Sequence, residues 1–367
     1  MRDERPVDEE VRAAEVPEPL PPPVLGSDPF AESGGPDPLD AWLDALDQLS
    51  TRSPAFPAGG LSAAGQAGGA LRRNGTVDAA APAAPQLADI ELPRHLRGLS
   101  LLVGEEPARR LSALLGRLEG YDRFGLSRPA VERAFPFFFA LYRLYFRVKS
   151  SGHEHLPKTG PALLVANHGG LLPFDGAMTV LDVLLHTDPP RLPRAIVDRW
   201  AGTLPFVNVF FARVGQVVGT HENLARLLAD GEPVLVFPEG VEGIRKPVTQ
   251  RYRLQRFHVG FVEHALRSRA PIVPVAVVGS DDQAPILFDV KPLARLLGLP
   301  TAPITPTFPW LGPLGLLPYP VRYRIVYGEP IYFHERFAAR AAEDPSVVRA
   351  LAGQVRRAVQ GLIDKSR

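Results

Sequence analysis

After Ser150 the chain alternates short, unbroken apolar runs with segments of helical period, and few folds accommodate that pattern. Strands are expected at residues 162–166, 195–197, 214–218, 234–237, 272–278 and 323–327, and helices at 176–185, 223–228, 254–267, 290–297 and 347–363. A run that is apolar at every position, and not at every second one, belongs to a strand covered on both faces. Such strands separated by helices predict an α/β domain over residues 150–367, a mixed, partly parallel sheet flanked by helices. Amphipathic helices precede it. Leu111, Leu114, Leu115 and Leu118 share one face of a helix over 107–118, and a second is expected over 129–147, opened by Pro129 and kinked at Pro136. Residues 91–149 thus read as a helical segment.

The first ninety residues are of another kind. They hold 13 prolines, 9 glycines and 17 alanines, and only Phe30, Trp42 and Phe56 of the chain's 30 aromatics. So little large apolar surface does not offset the entropy of ordering the backbone, which predicts a disordered, acidic tail over 1–90. Within it, Trp42, Leu43, Leu46 and Leu49 share a helical face that could dock a protein partner or form only transiently. The first fifty residues carry 13 acidic and 3 basic side chains, so the rest of the chain is basic although the totals, 41 basic and 40 acidic, nearly cancel. That balance provides no surplus for neutralising nucleic-acid phosphates, and no nucleic-acid partner is expected. The absence of cysteine excludes disulfides, thiol nucleophiles and thiolate metal sites. The opening MRDERPVDEEVR lacks the apolar core of a secretory signal, so a cytoplasmic location is expected.

Two segments raise the question of a membrane. The chain is uncharged from Ala134 through Tyr142 (AFPFFFALY), far short of the roughly 20 residues a spanning helix needs. With Arg128, Arg133, Arg143, Arg147 and Lys149 around it, this stretch suits a helix lying in the lipid interface, and equally a helix packed on the sheet. From Leu296 through Val321 the chain is again uncharged, but seven prolines forbid a regular helix. Its Phe308, Trp310, Leu311, Leu314, Leu316, Leu317 and Tyr319 could dip into one leaflet, wall an apolar pocket or form a buried connector. A protein peripheral to a membrane is the expectation.

The chemistry concentrates in PALLVANHGGLLPFDGAMTV, residues 161–180. An apolar strand runs into Asn167 and His168, two glycines turn the backbone, and Asp175 opens the next helix. A neutral imidazole can take a proton from an alcohol, and a carboxylate on its other nitrogen fixes the tautomer and stabilises the imidazolium. The nearby helix N-terminus should favour a neutral resting histidine.

Three more blocks follow in order: PFVNVFFARVGQVVG at 205–219, VLVFPEGVEGIRKP at 234–247 and APIVPVAVVG at 270–279. Together the four resemble the glycerolipid acyltransferase family from about Ser150 to Tyr332. The resemblance departs in one place. The family places four residues between His and Asp, whereas His168 and Asp175 have six between them, a form that also resembles acyltransferases acting on diacylglycerol or other neutral alcohols.

The resemblance implies that His168 deprotonates an acceptor hydroxyl, oriented by Asp175, for attack on the thioester of acyl-CoA or an acyl carrier protein. The acceptor it implies is a lysophospholipid or glycerol phosphate, with a neutral-lipid alcohol as the alternative and an inactive membrane-bound scaffold as a third reading. No cofactor and no metal are expected, the thioester being a co-substrate. Asn167, Gly169, Glu239 and Gly240 would line the substrate site, while Arg213, Arg245 and Lys246 would hold phosphates of the acceptor or of coenzyme A.

Five further histidines read as structural. His153 and His155 have the spacing of strand surface residues, His221 of a helix cap, and His258 and His264 of positions on one helix. Ser280, Asp281 and Asp282 lack a G-x-S-x-G elbow and do not indicate a serine hydrolase.

Overall fold

Residues 94–118 and 120–367 are described by the computed structural model. The predicted tail and its Trp42 helix lie outside them. Nine strands are present among these residues: β1 (Lys149–Ser151), β2 (Ala162–Ala166), β3 (Arg194–Val197), β4 (Val217–Val218), β5 (Pro233–Val236), β6 (Ile272–Val278), β7 (Phe288–Asp289), β8 (Pro303–Ile304) and β9 (Arg324–Tyr327). Seven form one sheet in the order β1-β9-β6-β2-β5-β3-β4, parallel throughout except where β9 runs antiparallel to β6. The short β7 and β8 pair separately.

The helices are α1 (Arg94–Val103), α2 (Glu105–Leu115), α3 (Arg128–Ala140), α4 (Phe174–His186), α5 (Val207–Arg213), α6 (His221–Ala229), α7 (Val241–Ile244), α8 (Gly260–Ser268), α9 (Lys291–Leu297) and α10 (Pro345–Ser366). Successive side chains of a strand face opposite ways, so β2 supplies both cores. Leu164 and Ala166 join α1 to α4 on one face, and Leu163 and Val165 join α6, α8 and α10 on the other. The helical segment before residue 150 therefore packs into the same core as the sheet. In the stretch read as interfacial, Ala134, Phe135 and Tyr142 are buried and only Phe137 among the phenylalanines is exposed. Of the two readings offered for that helix, its inward face follows the packed one.

Several local assignments differ from expectation. The strand expected over 214–218 shrinks to Val217 and Val218, because Val214 closes α5 by donating its N–H to Phe210. The helix expected over 254–267 starts only at Gly260. Before it, the N–H of Leu254 is bonded to Gln360 Oε1 and that of Gln255 to Glu239 Oε2, and these long-range bonds hold the chain extended. His153 and His155 sit on a short 3₁₀ turn after β1, not on a strand.

That turn faces a buried polar hub. Asp182, on α4, accepts hydrogen bonds from Tyr142 Oη (2.5 Å), Ser150 Oγ (2.6 Å) and Tyr327 Oη (2.7 Å). His153 and His186 approach the same carboxylate at 3.4 and 3.3 Å, their rings stacked 4.0 Å apart and 8° from parallel. Their ligand atoms and those of Asp182 lie within 4.8 Å of one another. An imidazole holds a metal in its own plane, however, and two stacked parallel planes do not share one ion. The hub is a hydrogen-bonded joint between α4, β1, β9 and the turn at residues 141–145 that follows α3.

Candidate active site

The site forms where β2 stops. Asn167 closes the strand with its side chain, donating from Nδ2 to the Val277 carbonyl (3.0 Å) and accepting at Oδ1 from the Val277 N–H (2.7 Å). Both ends of the amide are thus engaged by β6. The expected substrate-binding role of Asn167 gives way to a scaffold role, carrying the β2–β6 pairing one residue further. The next turn is built around glycine. A Cβ on Gly169 would lie 2.3 Å from Asp281 Oδ1, and Gly170, at φ +79°, lies against Gln283. Gln283 donates to the carbonyls of Gly169 (3.0 Å) and Leu172 (3.4 Å), fixing the turn from outside.

This turn absorbs the two extra residues between His168 and Asp175. Asp175 is fully buried in the first turn of α4, where Oδ2 accepts from His168 Nδ1 (2.6 Å) and the Gly169 N–H (3.0 Å), and Oδ1 from the Gly176 N–H (2.8 Å). A carboxylate so fixed selects the tautomer with hydrogen on Nδ1 and leaves the Nε2 lone pair for a substrate proton. The His168 ring stacks on Phe237, centroids 4.4 Å apart, and keeps 17% of its side-chain surface exposed. Burial opposes the imidazolium, but the Asp175 carboxylate and its hydrogen bond, with Glu239 behind, outweigh it and hold the His168 pKa above its usual 6.5.

A second layer supports the turn from below. Glu239, fully buried, accepts from the His168 N–H at Oε1 (3.0 Å) and from the Gln255 N–H at Oε2 (2.7 Å). It was expected to meet substrate, and instead its carboxylate anchors the backbone of the histidine. Lys246 lies 3.5 Å from Glu239 and 3.3 Å from Asp281, its amine buried between the two carboxylates. Burial pushes the Asp281 pKa up, opposed by Lys246. Gly240 (φ +55°) turns the chain into α7.

The other two expected phosphate holders are engaged elsewhere. Arg245 donates to Asp289 (2.7 Å) and Glu242 (3.1 Å), and the Arg213 guanidinium lies over the Tyr121 ring at 4.2 Å. Gln255, Asp281, Gln283 and Gly243 escaped the reading of the sequence. The Ser280 to Asp282 cluster was visible there but was weighed only as a hydrolase element.

Gly243 packs directly against both the histidine and Glu239. A Cβ there would lie 2.8 Å from His168 Cβ and 2.9 Å from Glu239 Cβ. Gly243→Ala is expected to displace the histidine and lower turnover at least about tenfold, for an overpacking cost of about 1–3 kcal/mol. Steady-state kinetics and denaturant titration of the same preparation check it, and unchanged turnover would show the turn to be looser than this.

The acyltransferase family profile matches residues 147–278, a span that holds His168, Asp175, Glu239, Lys246 and Val277. An uncharacterized protein of Mycobacterium leprae is 45% identical over 268 residues, 70% of this chain and 72% of that one. The chain belongs to the acyltransferase family. Among more distant relatives of this acyltransferase, the "DGAT1/2-independent enzyme synthesizing storage lipids" of Gallus gallus is 25% identical over 225 residues, 61% of each chain. The crystal structure of the 1-acyl-sn-glycerophosphate acyltransferase PlsC of Thermotoga maritima aligns with TM-score 0.40 and 19% identity over 74% of this chain and 88% of that one.

The electrostatics of the acyltransferase site set a pH dependence. A base must be neutral, so the acid limb of kcat is expected above pH 6.5, activity rising as His168 loses its proton. Asp175→Asn removes the charge that raises this pKa, so the limb moves to lower pH while the plateau falls. A pH–rate profile of the two proteins decides it, and coincident acid limbs would contradict the assigned pair.

Proposed function

We propose that this acyltransferase moves a fatty acyl group from a thioester to the hydroxyl of a neutral lipid alcohol, such as diacylglycerol. His168 Nε2 takes the hydroxyl proton as the oxygen attacks the thioester carbonyl, and the imidazolium, stabilised by Asp175, returns that proton to the leaving thiolate as the C–S bond breaks. No acyl-enzyme is required, and the chain has no cysteine to form a thioester intermediate.

The observation that carries the choice of acceptor is the fate of the three expected phosphate holders. Lys246 is closed between Glu239 and Asp281, Arg245 is turned to Asp289 and Glu242, and Arg213 lies on Tyr121. The name of the chicken relative supports the same choice. An apolar substrate also suits the exposed Leu296 (81%), Trp310 (74%), Leu311, Leu314 and Leu317 on the proline-rich segment, a surface that would sit at the lipid interface. Among the described residues no helix is long and apolar enough to cross a membrane.

Arg245→Gln tests the acceptor. With diacylglycerol the KM is expected to stay within about threefold of wild type, because uniform binding has not been removed. If lysophosphatidic acid is the better acceptor of the wild type and Arg245→Gln raises its KM by about tenfold or more, the phosphorylated acceptor is restored and this reading falls.

A further inference from the structure

A second cavity opens at the same end of the sheet as His168, beyond the ends of β6, β9 and β1. Its volume is about 660 Å³, within the range of roughly 300–1,000 Å³ common for small-molecule sites. Its wall carries six cationic side chains, Arg147, Lys149, Arg251, Arg322, Arg324 and Arg367, against two carboxylates, Asp282 and Asp364. Both carboxylates are taken, Asp282 by Arg251 (3.2 Å) and by the Tyr252 hydroxyl, Asp364 by Arg367 (3.6 Å). Arg147 and Arg324 each donate to a backbone carbonyl, of Pro320 and Ser366, which fixes them but cancels no charge. The side chains of Lys149 and Arg322 have no hydrogen-bonding or ionic partner among the described residues.

The floor is rigid. Gly279, at φ +101°, brings β6 against Arg322 so closely that a Cβ would lie 2.4 Å from the Arg322 carbonyl. Tyr323, buried beside it, has a hydroxyl with no hydrogen-bond partner among the described residues. So many like charges around one concavity cost free energy through mutual repulsion, and a multiply charged anion relieves it. Guanidinium groups in particular match phosphate oxygens.

We propose that this cavity holds the phosphates of the acyl donor, the 3′-phosphoadenosine diphosphate end of coenzyme A. The identity of the donor rests on the acyl-transfer reading, and its placement rests on the cavity. The wall of the cavity continues into the catalytic turn. Asp282 is followed back to Asp281, which accepts from the Tyr252 N–H (2.5 Å) and meets Lys246, and Lys246 meets the Glu239 that binds the His168 N–H. A nucleotide held here has the length of its pantetheine arm in which to bring the thioester to His168.

The test measures binding and not turnover, by calorimetry of the full chain with CoA, with dephospho-CoA lacking the 3′-phosphate, with lysophosphatidic acid, and with phosphatidylglycerol vesicles. The probe variant is Lys149→Gln/Arg322→Gln, both exposed and outside the catalytic turn, its fold checked by the unfolding midpoint. Wild type is expected to bind CoA about tenfold or more tightly than dephospho-CoA, and the variant to lose that difference while keeping its response to vesicles. An unchanged CoA affinity in the variant, or a loss confined to lysophosphatidic acid or to vesicles, overturns the assignment. His168→Ala is expected to bind CoA like wild type. Transfer from an acyl carrier protein without any CoA affinity would sink the cavity assignment alone, whereas tight CoA binding without transfer to any alcohol would sink the acyl-transfer reading alone.

Discussion

His168→Ala is expected to lower kcat for acyl transfer by about 10²–10⁴-fold, the range carried by a positioned general base. The loss should fall on chemistry and not on folding. With the imidazole gone, Asp175 still accepts from the Gly169 and Gly176 N–H groups, so the buried carboxylate keeps two of its three donors. Glu239 binds the backbone N–H of residue 168, which any side chain leaves in place. The turn therefore persists, and the unfolding free energy is expected to change by no more than about 1–2 kcal/mol, the cost of one lost charge-assisted hydrogen bond. Full-length variant and wild type compared in single-turnover kinetics separate the step from product release. Turnover within about threefold of wild type would move the proton to another group.

The second large effect concerns stability. Asp182→Ala is expected to cost about 3–5 kcal/mol, read as a shift in the urea midpoint at unchanged slope. Its side chain unites Tyr142, Ser150, Tyr327, His153 and His186, and truncation leaves two buried phenols without an acceptor. Burial and the facing carboxylate hold both tyrosines far above their ordinary pKa, so neither can become an anion to compensate.

The hub also gives stability a pH window. Burial alone would raise the Asp182 pKa, but hydrogen bonds from His153, His186 and Ser150 outweigh it and hold the carboxyl well below the usual range. A depressed folded pKa gives stability that is present above the unfolded value of about 3.9 and lost as pH falls below it. For His186, burial works against the charge, yet the bonds and charge of Asp182 raise the pKa. That contribution is present below about 6.5 and lost as pH rises through the folded pKa. The two together predict greatest stability from this hub between about pH 4 and 6.5, flattened in Asp182→Asn. A urea midpoint for Asp182→Asn that tracked wild type across that window would remove the hub's role.

The sheet was legible where burial wrote itself into composition. β2 and β6 are apolar at every position, and both came out as read. β1 is Lys-Ser-Ser, an edge strand that pairs with β9 through its backbone and carries no apolar signal to find. In the site, His168 and Asp175 were legible because seven residues of local chain carry the pair. The rest was not, since its partners are remote in sequence: Glu239 is 71 residues from the N–H it holds, and Asn167 is 110 from Val277. A sequence shows that Arg245 and Lys246 are charged. It does not show that Asp289, Glu239 and Asp281 already hold those charges.

The most direct test of the whole account is mass spectrometry of the lipids formed when wild type and His168→Ala are each given a long-chain acyl-CoA with equal amounts of diacylglycerol and lysophosphatidic acid. The account predicts triacylglycerol from wild type, little phosphatidic acid, and neither product above background from His168→Ala. Phosphatidic acid as the main product, or triacylglycerol formed equally by both proteins, would contradict it.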